Sequence, residues 1–324
     1  MKAIVCTQYG PPDVLQLQEV RRPSPGENEI LVKVHAASVN QYDWHLLTAD
    51  IFLVRLMGGG FFKPKNMILG ADVAGYVEEV GTRVNRFRPG DEVYGDVSMC
   101  GNGSFAEYVC ASHDRFAFKP KNLSFEQSAA VPMAAVTALQ GLRDEGKIGS
   151  GKKVLINGAS GGVGTFAVQI AKSFGAEVTA VCSTKNVDQA RSLGADRVID
   201  YTKEDFTRSG KEYDLIFAAN GYHPISVYKR ALAPQGIYAM AGGRKAQMFQ
   251  ALLLGSLYSE KAGKMMRTVS AKPNAEDLVF MNGLLESGKV TPVIDRQYPL
   301  HQTADAIRYI GEGHARGKVI ISVI

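Results

Sequence analysis

The segment "VLINGASGGVGTFAVQIAKSFGAEVTAVCSTKN", residues 154–186, carries the plainest chemistry in the chain. Within it Ala159, Gly161 and Gly164 stand at the G-x-G-x-x-G spacing, with the first glycine replaced. An apolar strand pattern leads into the turn and a helical pattern leaves it. In that setting Gly161 lets a pyrophosphate approach the backbone, and Gly164 lets the helix pack against the strand. The helix N-terminus faces the phosphates with partial positive charge. A dinucleotide is the expected ligand.

The second strand ends in Cys182, Ser183, Thr184 and Lys185. An Asp or Glu at that place would bind both ribose hydroxyls of NAD and repel a 2′-phosphate. Two hydroxyls and a cation favour the phosphate instead. A charge-assisted hydrogen bond contributes roughly 1.5–3 kcal/mol, and about 1.4 kcal/mol is tenfold in affinity. One contact from Lys185 therefore sets a preference of about tenfold or more, and NADPH is the expected cofactor. The competing reading makes Lys185 a solvated residue at a helix entry.

These residues need a parallel sheet to hold them. From residue 124 onward the chain alternates strand and helix, through "KVLINGA", "EVTAVC", "RVIDY", "YDLIFAAN", "GIYAMAGG" and a further strand in "MMRTVSA". Such alternation predicts a doubly wound α/β domain with ligands at the carboxyl ends of its strands. Ser124, followed by Glu126 and Gln127, predicts the start of a helix through "SFEQSAAVPMAAVTALQGLRDEG". Before that point, short apolar runs broken by Pro and Gly predict a β-rich unit, with a barrel as one form of it. The tail mixes helix and strand and is expected to return to the first domain. The expected division is 1–123, 124–272 and 273–324.

Composition narrows the class. The chain has 324 residues, 45% hydrophobic and 21% charged, enough for two domains with real cores. The formal charge of +5 is spread along the sequence, which fits a polyanionic small molecule better than nucleic acid. Cys6, Cys100, Cys110 and Cys182 form no CxxC pair, arguing against a zinc knuckle or disulfide framework. With no signal-peptide core or transmembrane-length apolar run, a cytoplasmic protein without membrane contact is expected.

Several motifs together resemble one family. "MKAIVCTQYGPPDVLQL", "ILVKVHAASVNQYDW", "ILGADVAGYVEEVG", "RFRPGDEVYG", "AAVPMAAVTALQGL", "GASGGVGTFAVQIAK" and "HARGKVIISV" span essentially the whole chain. They resemble the medium-chain dehydrogenase/reductase superfamily, in its zinc-free quinone oxidoreductase and alkenal reductase branch, near the reticulon-interacting mitochondrial homologues. The resemblance implies a GroES-like domain plus a Rossmann domain, and a homodimer. Where the zinc alcohol dehydrogenases of that superfamily place a Cys ligand, this chain has Asn40. Where they place a His-Glu pair, it has Ala71 and Asp72, and their four-cysteine structural loop is missing. Catalytic zinc needs three protein ligands, so no metal site is expected. A short-chain dehydrogenase needs Tyr-x-x-x-Lys; "YSEK" at Tyr258 has the lysine three residues on.

The chemistry that remains is hydride delivery to a quinone or an α,β-unsaturated carbonyl, with hydrogen-bond donors aimed at the acceptor oxygen. The resemblance puts Asn40 near the nicotinamide as a polar orienter. It makes Tyr42 a donor to the substrate, against an equal reading as a half-buried aromatic. It also puts Thr137 at the nicotinamide ribose or amide, Ser160, Gly161, Gly162 and Val163 around the pyrophosphate, and Tyr201 beside the adenosine. Asn220 and Gly242 follow successive strands at the cofactor edge. Lys318 either reaches the cofactor or substrate, or is a solvated lysine at a strand start. The apolar stretch 49–67, with Phe52, Phe61 and Phe62, is a lid, a piece of core or a dimer contact. Two other functions stay open: an NADPH-binding sensor with little turnover, and an alcohol dehydrogenase with atypical metal ligation.

Overall fold

The computed structural model describes residues 1–50, 60, 62–65, 67–243 and 263–324. Phe52 and Phe61 of the 49–67 stretch, and the Tyr258 motif, lie outside the described residues; Phe62 is exposed. Backbone contacts divide the chain into two units. The first is Met1–Met133, Pro273–Glu286 and Pro292–Ile324; the second is Ala134–Lys272 and Ser287–Thr291.

In chain order the strands begin β1 (Lys2–Val5), β2 (Gln16–Glu19), β3 (Glu29–Val39), β4 (Asp72–Val80), β5 (Glu92–Asp96), β6 (Tyr108–Ser112) and β7 (Phe116–Phe118). They continue as β8 (Lys153–Asn157), β9 (Glu177–Cys182), β10 (Arg197–Asp200), β11 (Tyr213–Ala218), β12 (Leu232–Met240) and β13 (Met265–Thr268). The tail supplies β14 (Ile294–Pro299) and β15 (Lys318–Ser322). The helices that bear on function are α1 (Gln41–Thr48), α2 (Phe125–Ala129), α3 (Pro132–Gln140) and α4 (Gly162–Ser173).

In the first unit the sheet runs β14-β15-β3-β4-β5-β7, with β6 also paired to β3. β3 and β15 are buried along most of their length, whereas the edge strand β14 is not. Val32, Val34, Val73, Val93 and Phe116 pack in one cluster, and Ala37, Val39, Leu47, Ile307, Val319 and Ile321 in another. Each such side chain contributes about 1.5–3 kcal/mol by leaving water. Register is what matters for function. β15 lies antiparallel to β3 with Val319 opposite Val39, β3 sets Ser38 opposite Asp72, and β4 sets Asp72 opposite Asp96. Four neighbouring strand ends therefore line up Lys318, the Ser38–Asn40 turn, Asp72 and Asp96.

The helix expected from Ser124 is capped as its sequence predicts. Ser124 Oγ accepts from the Gln127 N–H at 3.2 Å, and Gln127 Oε1 accepts from the Ser124 N–H at 3.0 Å. It is not one helix, however. Pro132 has no N–H to donate and its ring would clash with the preceding turn, so α2 stops and Pro132 opens α3. The stretch 124–133 groups with the first unit, where Phe125 stacks on His35 at 4.5 Å.

The second unit is a parallel sheet in the order β10-β9-β8-β11-β12-β13. That order reverses direction between β8 and β11, which creates the crevice where doubly wound sheets hold ligands. Near-continuous apolar runs suit strands covered on both faces. The α4 helix buries Phe166, Val168 and Ile170 against them. Among the described residues no helix is long and apolar enough to cross a membrane.

Candidate active site

At the carboxyl edge of the second sheet the missing first glycine is supplied one residue early. Gly158 adopts φ +84° and makes the turn, while Ala159 is fully buried. The N–H groups of Gly158 and Ala159 both donate to Val181 O, at 3.2 and 3.1 Å, which ties the turn to β9. A Cβ on Gly164 would lie 2.0 Å from Gly158 O, so this glycine is required by helix-on-strand packing. Gly161 differs: its φ is −80°, and a Cβ there would meet nothing closer than 3.9 Å. Among the described residues nothing requires glycine at 161, and the space beside it is open. Ser160, Gly162 and Val163 are half-buried around it, at the start of α4, where the first N–H groups have no intrahelical partner.

Asn157, at the end of β8, fixes the other side of the crevice. Its Nδ2 donates to Asn220 O at 2.8 Å and to Tyr228 Oη at 3.0 Å. The N–H groups of Ala219 and Asn220 donate back to Asn157 O at 3.0 and 3.2 Å. Among the described residues Asn157 Oδ1 is buried without a partner, an open acceptor beside the turn. Gly242 closes the same edge; a Cβ there would lie 2.7 Å from Ala219 O. A glycine with room for a ligand, a helix N-terminus and an open buried acceptor together fit a dinucleotide. Asn157 and Tyr228 were not among the expected site residues, although a buried-strand pattern ending in Asn is a signal for such a tie. A cavity lined by Lys153, Glu177, Thr179 and Tyr213 opens at the amino ends of these strands, the wrong edge for this chemistry.

Just after β9, Ser183 is half-buried and Thr184 and Lys185 are exposed. Thr184 Oγ1 donates to Asp200 Oδ2 at 2.6 Å, so its hydroxyl hydrogen is committed inside the protein. Hydrogen bonds from Thr184 and Thr202 hold the Asp200 carboxyl down to about 2. Lys203 Nζ lies 3.5 Å from the same carboxylate and offsets its charge. Tyr201 is half-exposed with its ring 5.7 Å from Tyr222, and Thr137 is half-buried on α3.

The first unit holds a different cluster. Asp72 is fully buried and its carboxylate collects four donors. Oδ2 accepts from Ser38 Oγ at 2.7 Å, Asn40 Nδ2 at 3.0 Å and Lys318 Nζ at 3.1 Å; Oδ1 accepts from the Met133 N–H at 2.8 Å. Met133 is the second residue of α3, where an amide has no helical partner and an anion is favoured. Lys318, only 2% exposed, also donates to Asn40 Oδ1 at 2.5 Å. The reading of Lys318 as a solvated lysine is thus corrected: the β15–β3 register carries it inward.

Two more carboxylates surround this pair. Asp43 accepts from the backbone N–H groups of Asn40 at 2.8 Å and Gly70 at 3.1 Å, and burial pushes its carboxyl up to about 7. Asp96 accepts from the Ser98 N–H at 2.8 Å; burial, then the nearby Asp72 charge, pushes it to about 7 as well. Tyr42 is half-buried on α1. Burial raises its phenol, with Asp43 and Asp96 adding to the effect and Asn102 opposing it, so the O–H stays a donor.

Comparison with known proteins agrees with this geometry. Residues 26–121 match the alcohol dehydrogenase GroES-like domain, and residues 193–321 match the model described as zinc-binding dehydrogenase. The chain is 36% identical to the chloroplast envelope quinone oxidoreductase homolog of Arabidopsis thaliana, over 95% of this chain and 93% of that one. It is 37% identical to the 2-methylene-furan-3-one reductase of Solanum lycopersicum, covering 100% of this chain and 79% of the relative. The quinone oxidoreductase structure from Coxiella burnetii superposes with a TM-score of 0.87 at 31% identity, covering 100% and 99% of the two chains. The chain belongs to the medium-chain dehydrogenase/reductase superfamily, in its quinone oxidoreductase branch. Within that superfamily its two units are the GroES-like and Rossmann-like domains.

Three outcomes follow. Gly164→Ala should lower unfolding free energy by about 1–3 kcal/mol through overpacking. Gly161→Ala should leave the urea midpoint nearly unchanged while weakening dinucleotide binding, measured by fluorescence titration. Asp96 binds its proton more tightly folded than unfolded, so it lowers stability progressively as pH rises from about 4 to about 7. Asp96→Asn should flatten that part of the profile and gain most over the parent above pH 7, read as Tm against pH.

Proposed function

We propose that this chain is a zinc-independent, NADPH-dependent oxidoreductase that reduces quinones or α,β-unsaturated carbonyls. The observation that carries this reading is Lys318. By the family resemblance, Asn40 and Asp72 stand at positions where zinc dehydrogenases place metal ligands. Here they are bonded instead to a buried ammonium. An amide oxygen is a weak zinc ligand, Ala71 offers none, and a resident cation repels a second one. The superfamily scaffold is thereby turned from metal-assisted alkoxide chemistry toward acceptors that are already electron-poor.

When bound, the nicotinamide cofactor supplies the hydride. This chain's residues bind and orient. Ser160, Gly161, Gly162 and Val163, with Gly164 behind them, receive the pyrophosphate, Tyr201 flanks the adenosine, and Asn220 and Gly242 shape the edge along which the cofactor lies. Thr137 takes the nicotinamide ribose or amide. Ser183 and Lys185 meet the 2′-phosphate, while Thr184 keeps its hydroxyl on Asp200 and shapes the turn. Asn40 and Tyr42 donate to the acceptor oxygen as negative charge grows there, an interaction that strengthens along the reaction. Water supplies the final proton.

A homodimer and a cytoplasmic location belong to the same proposal. A sensor of NADPH with little turnover is the competing class, and turnover separates the two.

Purified protein should oxidise NADPH with a simple quinone or an enal at a rate unaffected by a chelator. Lys185→Ala should raise KM for NADPH about tenfold or more and leave KM for NADH within about twofold. Chelator-sensitive turnover would contradict the zinc-independent reading. Equal effects on both cofactors would contradict the phosphate contact.

A further inference from the structure

An asparagine amide presents an oxygen at one end and an N–H pair at the other, and rotation by half a turn exchanges them. In most sites either orientation finds partners. Asn40 has no such freedom. Its Oδ1 faces the Lys318 ammonium at 2.5 Å, and its Nδ2 faces the Asp72 carboxylate at 3.0 Å. Rotation would set N–H against ammonium and oxygen against carboxylate, two repulsions in a buried site where they are poorly screened. Among the described residues the second Nδ2 hydrogen has only a long contact, 3.4 Å, to Ser38 O. That hydrogen can be given to a ligand at little loss.

We propose that Lys318 and Asp72 are positioning residues that lock the Asn40 amide, with Lys318 also polarising it, so that its second N–H is presented to the acceptor oxygen as a pre-aimed donor. The cation on the oxygen draws electron density away from the nitrogen and strengthens the remaining N–H, while the Asp72 carboxylate, which works against this in part, fixes which way the amide faces. The surroundings are consistent with a fixed charge pattern. The groups facing this trio are Ser38 on β3, Asp43 on α1, Asp96 on β5 and the Met133 N–H on α3, and the two further carboxylates tend toward neutrality near pH 7. With both raised to about 7, each is partly protonated near pH 7, which lessens the negative charge around the lysine–aspartate pair. Asn40 touches the substrate in this account; Lys318 and Asp72 act through it.

The proposal rests on the quinone or enone reduction put forward above. Wild-type turnover tests that reading alone, and variants measured against an active wild type test this one. Lys318→Met keeps most of the length of the side chain and removes its charge. It should lower kcat for a simple quinone about 10- to 100-fold, the scale of losing an orienting partner, with the Kd for NADPH unchanged. The exchange Asn40→Asp together with Asp72→Asn keeps one carboxylate, one amide and the lysine in the cluster but removes the donor at position 40. It should recover most of the Tm lost by Asn40→Asp alone and still turn over at least about 100-fold slower than the parent. Recovery of both Tm and kcat in the exchange would overturn the proposal, as would a Lys318→Met protein with kcat within twofold of the parent. Failure of both to fold would also overturn it, since the trio would then be a structural element only.

Discussion

One buried carboxylate organises the first domain. Asp72 gathers Ser38 and Asn40 from the end of one strand, Met133 from the start of a helix and Lys318 from a strand 246 positions away. Burying an ion is costly, and removing one partner of a buried pair typically costs about 3–5 kcal/mol because the other is left uncompensated. The cluster therefore penalises any other register. A one-residue slip of β15 would turn Lys318 to the opposite face and strand Asp72. The same contacts that fix the sheet fix the side chain expected to meet the substrate.

The Rossmann domain uses a neutral version of the device. Asn157 ends β8 and bonds in both directions to the loop after β11, so two strand ends across the topological switch point hold each other. The glycines divide their labour by geometry: Gly158 for a positive φ, Gly164 for close packing, and Gly161 with space left over. In each domain, a polar residue at a strand end settles where a loop can go. The backbone and side chains at these strand ends have little room to move.

Much of this was legible in the sequence. The alternation of strands and helices, the edge strand in "MMRTVSA", the cap at Ser124 and the return of the tail are all local patterns whose physics is contained in a few neighbouring residues. What escaped depends on pairings between distant segments. The Lys318–Asn40 contact spans 278 positions and follows from strand register, which a lysine in "RGKVI" does not announce. Asp72 read only as a residue unlike a zinc ligand, because its role needs all four donors in view. The commitment of the Thr184 hydroxyl to Asp200 comes from the next strand over. The break before Pro132 is the exception, a local one that the helical period around it hides.

The central claim is that the Lys318–Asp72 interaction couples the ends of the first domain. Urea unfolding of the parent, Lys318→Met, Asp72→Asn and the double variant tests it as a thermodynamic cycle. The account predicts that each single change is strongly destabilising and that the double change costs clearly less than their sum, with a coupling of about 1–3 kcal/mol. Losses that simply add would mean the two groups do not sense each other, and would contradict it.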